Sequence, residues 1–142
     1  MPLSLVETRQ LVRAWLLADE AINARTVGAV YGAHLASPDA GTLLGSNPLL
    51  IADVGGGQGR YGREFAQLQV EIYGYARSSP DAAAELYDLA YLRLHGARMV
   101  LAGIDTSASA REVERPSTGR NEELAAYYAR GRFVLSVVGG PA

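Results

Sequence analysis

Apolar positions recur at two different spacings along this chain. In SLVETRQLVRAWLLADEA, Leu5, Val12, Trp15 and Leu16 share one helical face, with Arg9 and Arg13 on the other side. Ser4 followed by Glu7 has the spacing of a capping box, so a helix is predicted over about 5–18. RTVGAVYGA is short, apolar and interrupted by Gly28 and Gly32, which suits a modest strand, and a turn-rich loop follows over 37–48. LLIADV, 49–54, is a buried-strand candidate. From Ala66 the period changes to two: Ala66, Leu68, Val70 and Ile72 alternate with Gln67, Gln69, Glu71, Tyr73 and Tyr75. This predicts a long, half-buried strand over 65–76, with a polar-aromatic face turned away from the core.

SSPDAAAELYDLAYLRLHG then carries the full set of helix signals. Ser78 or Ser79 can cap it, Pro80 suits the first turn, Asp81 and Glu85 favour its positive end, and Gly96 stops it. Leu86, Leu89, Ala90 and Leu94 form its apolar face. ARMVLAGI reads equally as a strand or as the tail of a helix turn. A strand around 111–115 is possible inside a polar stretch, and GRFVLSVVGG predicts a closing strand. Strands that follow one another without intervening helices point to an α+β fold. The expectation is a single domain over 1–142, with a mixed or antiparallel sheet of about four to five strands packed against two main helices.

Composition narrows the function. With 142 residues, 49% of them apolar, the chain can bury a core as one domain. A net charge of −2 gives no basic excess for gripping nucleic acid by bulk charge. All 13 basic residues are arginine, the side chain suited to bidentate pairing. The absence of cysteine excludes disulfides, thiolate metal sites and thiol nucleophiles. No apolar run approaches ~18 residues and no signal-peptide layout opens the chain, so no membrane role and a cytosolic origin are expected.

The stretch 49–62, LLIADVGGGQGRYG, poses the main functional question. Its spelling resembles the first motif of S-adenosylmethionine-dependent methyltransferases, which implies a small methyltransferase-like enzyme as one alternative. That fold needs a helix directly after the glycines and alternating βα units downstream. Here only a short segment containing Gly62 separates the glycines from the alternating strand, and Glu71, the one acid at a plausible distance, lies in mid-strand. A glycine run alone is a weak signal. The expectation is a loop joining strands over 50–54 and 63–76, with Arg60, Tyr61 and Arg63 available to a neighbouring molecule.

No other constellation gathers into a catalytic or cofactor site. His34 falls near a strand end and His95 just before the helix-stopping Gly96, and neither has a second ligand spaced for a metal. No serine sits in a G-x-S-x-G elbow. Asp81, Glu85 and Asp88 line one helix face, a solvated face or a partner for arginine from another subunit. Tyr73, Tyr75, Tyr87, Tyr91, Tyr127 and Tyr128 serve either as core rims or as interface residues.

The order of elements, from the N-terminal helix through NPLLIADVGGG and FAQLQVEIYGYA to the Ser-Ser-Pro-Asp-capped helix and the closing GRFVLSVVGG, resembles the tail-terminator and tail-completion proteins of long-tailed bacteriophages. The resemblance covers about residues 4–138 and departs over 97–123. It implies a non-enzymatic structural protein without cofactors, forming a homo-oligomeric ring, usually of six copies. The ring would cap the tail tube, end tube polymerisation and offer its other face to a head-completion or stopper protein. DNA would pass through it without specific binding. The implied location is the head-proximal end of the virion tail, assembled in the host cytoplasm. Another head–tail connector is the nearest alternative. The expected interface residues are Arg60, Tyr61, Arg63, Tyr73, Tyr75, Asp81, Glu85 and Asp88.

Overall fold

The computed structural model describes residues 5–26, 30–31, 49–53, 58–61, 65–100, 107–122 and 125–138. The elements are α1 (Leu5–Leu17), α2 (Glu20–Thr26), β1 (Val30–Tyr31), β2 (Leu49–Asp53), β3 (Gln58–Tyr61), β4 (Phe65–Ala76), α3 (Pro80–Leu94), β5 (Arg98–Met99), β6 (Ser107–Asn121) and β7 (Ala126–Val138).

α1 buries Leu11, Val12 and Leu16 and leaves Arg13 exposed, as its spacing predicts. Ser4 and the side chain of Glu7 lie outside the described residues, so the expected capping box does too. The sequence reading missed α2. Asp19 starts it, its Oδ1 accepting from the backbone N–H of Ala21 at 3.0 Å and of Ile22 at 3.1 Å, which is N-cap geometry. α3 begins as expected: the Ser79 hydroxyl accepts from the Ala82 N–H at 3.1 Å, and Pro80 stands in the first turn. Gly96, at φ +76°, follows its end. α3 buries Ala83, Leu86, Tyr87, Ala90 and Leu94 against the sheet.

A reciprocal clasp ties α1 to α3. The Trp15 indole N–H donates to the Arg93 carbonyl at 3.0 Å, and Arg93 Nε donates to the Trp15 carbonyl at 2.9 Å. The Arg93 guanidinium also lies 3.9 Å from the Trp15 ring centroid, a cation–π contact.

The strand order is β1-β2-β4-β7-β6-β5, with β3 also paired to β4. Among the described strands only the β1–β2 pair is parallel and the others are antiparallel. β2 and β3 share one edge of β4, β2 opposite Val70–Gly74 and β3 opposite Phe65–Gln67. The fold is therefore α+β with a mixed sheet, as expected. Its five longer strands are flanked by the two-residue β1 and β5. Val70, Ile72 and Ala76 of β4 and Ala129, Phe133 and Leu135 of β7 pack beneath the helices.

The pairing corrects several expectations. The glycine-rich segment does not merely join two strands: Gln58–Tyr61 forms β3 and folds back on β4 as a hairpin, while Arg63 lies outside the described residues. The strand after the glycines is β4, Phe65–Ala76, and residues 63 and 64 lie outside the described residues. Because β2 runs antiparallel to β4, the parallel strand–helix–strand unit of a methyltransferase is not formed there. The polar stretch 107–124, read as loop-like with a possible strand over 111–115, holds the 15-residue β6. The closing strand begins at Ala126, five residues before the GRFVLSVV run.

The α3 backbone approaches the sheet at Gly74, and at Gly131 the sheet makes room for the Tyr87 side chain. A Cβ there would overlap the Tyr87 hydroxyl, which lies over this position and donates to the Glu112 carboxylate at 2.5 Å. Burial first, and the Glu112 hydrogen bond second, push the Tyr87 phenol up from its ordinary value and hold it protonated.

Candidate functional site

The helices cover one side of the sheet, and no described helix packs on the other. Register builds that open side in rows across three strands. Directly paired residues share a face, so Tyr75, Tyr128 and Gly119 form one row, and Tyr73, Arg130 and Ser117 the next. Glu71, Arg132 and Glu114 follow, then Gln69, Val134 and Arg111. Beyond them, Ser136 and Ser109 continue to Arg98 on β5.

The first two rows make an aromatic platform. Tyr73 and Tyr75 stack at 5.8 Å with planes 8° apart, and Tyr128 meets them at 5.8 and 6.2 Å, tilted by 59°. Tyr128 lies over Gly119, where a Cβ would collide with its ring. Tyr75 is only 5% exposed despite facing away from the helices. Burial, then the neighbouring Tyr73 and Tyr128, push its phenol up to about 12.

The middle rows carry ion pairs. Arg130 donates to Glu71 at 3.0 Å and to the Ser117 hydroxyl at 3.3 Å, while Arg132 Nε lies 3.3 Å from Glu114. Two bulges in β6 make this possible, between Glu112 and Glu114 and between Glu114 and Ser117. In a regular strand Glu112 and Glu114 would share a face. The first bulge lets Glu112 reach Tyr87 under α3 while Glu114 turns to Arg132 on the open side. Pro116, which has no N–H to offer a ladder, falls within the second bulge.

The expected interface residues separate into distinct places. Tyr73 and Tyr75 come together on the open face. Asp81, Glu85 and Asp88 line the outer side of α3, on the opposite side of the sheet, and Glu85 is already engaged by Arg25 of α2 at 3.3 Å. Arg60 and Tyr61 belong to β3, and Arg63 is not among the described residues. His95 caps α3: its Nδ1 accepts from the Glu112 N–H at 3.0 Å and its ring stacks on Tyr91 at 4.8 Å. His34 lies outside the described residues. The reading missed Tyr128, Arg130, Arg132 and Glu114 as a group. The period-two pattern of 127–136 signals the first three, but only the register reveals their partners.

No protein-family model matches the chain, and no curated protein does. Among solved structures, the chain is similar to a chain of the "virion of native gene transfer agent (GTA) particle", with a TM-score of 0.68. The two are 22% identical, and the match covers 96% of this chain and 100% of that one. A virion component shares this fold. The likeness includes the region over 97–123 where the sequence pattern failed, because it spans nearly the whole of both chains.

Proposed function

We propose that this chain is a structural protein of a phage-like virion and acts as its tail terminator, a non-enzymatic role. Copies assemble into a ring, six in the proteins it resembles, that caps the tail tube and stops its growth. The ring's other side receives a head-completion or stopper protein. The observation that carries this reading is the end-to-end fold likeness to a chain of a gene transfer agent virion. The order of sequence elements supports it independently. A net charge of −2 suits a ring through which DNA passes without being held. In this reading Arg60, Tyr61 and Arg63 contact a neighbouring subunit or the tail tube, and Tyr73 contributes from the open face. The protein is assembled in the host cytoplasm and ends at the head-proximal end of the tail.

The test is deletion of the gene from a particle-producing host, with tail lengths measured by electron microscopy. Overlong tails, restored to normal length by the wild-type gene, support the terminator. Tails of normal length joined to heads overturn it. Tails of normal length that are closed but detached from heads identify a head–tail connector instead.

A further inference from the structure

Arg98 and Arg111 are exposed on the open face, and neither forms a hydrogen bond or ion pair with another described residue. They are diagonal neighbours across β5 and β6, since Arg98 pairs with Ser109, two residues from Arg111. Diagonal positions of this kind are about 7–8 Å apart at the backbone. Asp81 and Asp88, on the outer side of α3, are likewise exposed and without such a partner among the described residues. Seven residues apart on a helix, they are separated by roughly 10.5 Å. Arginine side chains are long enough to absorb the difference. Each surface also carries an apolar element beside its charges. Leu92, one turn beyond Asp88, is 74% exposed, and half-buried Val134 stands beside Arg111 in its row.

We infer that the outer side of α3 in one copy docks onto the open sheet face of a second copy. Asp81 and Asp88 pair there with Arg98 and Arg111, and Leu92 packs against Val134. The contact rests on the ring proposed above and names the two surfaces that build it. It gives the sheet a second helical layer on the face where no described helix packs. The two surfaces lie on opposite sides of the sheet, so the contact is heterologous: each copy offers one surface forward and the other backward. Such contacts close into rings or run on as filaments, whereas a two-fold dimer uses one surface twice.

Two complementary double variants test this by mass photometry. D81R/D88R makes both surfaces positive, and R98E/R111E makes both negative. All four residues are exposed, so each variant keeps the wild-type circular dichroism spectrum, and D81R/D88R melts only slightly lower because Asp81 stands in the first turn of α3. Each alone should assemble at least ~100-fold more weakly than wild type, because like charges then face each other. An equimolar mixture restores both contacts, alternating along the assembly, and should recover the wild-type particle mass. Wild-type assembly that either variant retains, or that the mixture fails to recover, overturns this inference and leaves the ring standing. A wild-type protein that stays monomeric at every concentration, or stops at a two-fold dimer, overturns both the docking and the self-assembling ring.

Discussion

The two faces of one sheet are built from the same strands by opposite means. Beneath the helices, Val70, Ile72, Phe133 and Leu135 are buried, and the Tyr87 hydroxyl reaches Glu112 across the layer at Gly131. On the other face the alternate residues of the same strands are tyrosines, arginines and glutamates, stacked and paired across three strands. The covered face draws its stability from apolar area removed from water. The open face holds its side chains in place by mutual contact while leaving them partly exposed, which gives little stability but fixes a surface in advance.

Substitutions should separate the two faces by size of effect. Ile72→Asp would bury an unpaired charge under α3, a cost of several kcal/mol, and should abolish soluble folding. A soluble Ile72→Asp protein with an unchanged melting temperature would show that the two faces have been assigned the wrong way round. Gly131→Ala comes next. The new methyl group must displace the buried Tyr87 hydroxyl from Glu112, so a loss of roughly 2–3 kcal/mol in chemical denaturation is expected. If Gly131→Ala is as stable as the wild type, Tyr87 does not lie where the covered face requires it.

Tyr75 offers a test by pH. Its folded-state pKa is raised from 10.0 to about 12, so the unfolded chain gives up this proton first. Its contribution to stability is therefore complete below pH 10 and is lost as pH rises through about 12. Tyr75→Phe should flatten the fall in stability over that window, read by urea denaturation at a series of alkaline pH values. A wild-type slope retained in Tyr75→Phe would place Tyr75 in contact with water. The smallest effect belongs to the ion pairs. Glu71→Gln should cost no more than about 1 kcal/mol because Arg130 remains partly exposed. A larger loss would mean that the open face is a second core.

The covered face was legible in the sequence because burial leaves a period. Alternation over 65–76 gave β4 at its observed bounds, and the Ser-Ser-Pro-Asp cap gave the start of α3. The open face was half legible. Tyr73 and Tyr75 were singled out, yet their company with Tyr128 and Arg130 depends on which strand lies beside β4, and no local pattern encodes that. β6 was hidden for a different reason. Bulges on either side of Glu114 break its alternation, so its polar residues read as loop although they pair along most of β7. α2 escaped because a seven-residue helix, Glu20–Thr26, shows barely two turns of periodicity.

The strand that completes the described sheet is the last of its described strands in chain order. β7 lies between β4 and β6, pairing with β4 from Phe65↔Val138 to Ala76↔Tyr127 and with β6 on its other edge. On the ribosome, β4 and α3 emerge well before the strand that joins them to β6. Until β7 arrives the nascent chain carries two unfinished edges that can pair with whatever is near. β7 meets β6 across a short turn, but β4 is distant in sequence, so loop-closure entropy must be paid before that pairing forms, and folding is expected to be slow compared with that of a helical bundle of equal length. Subunits competent for assembly therefore appear only after release of the whole sheet. A chain that stops short of β7 would meet its neighbours through bare strand edges and aggregate.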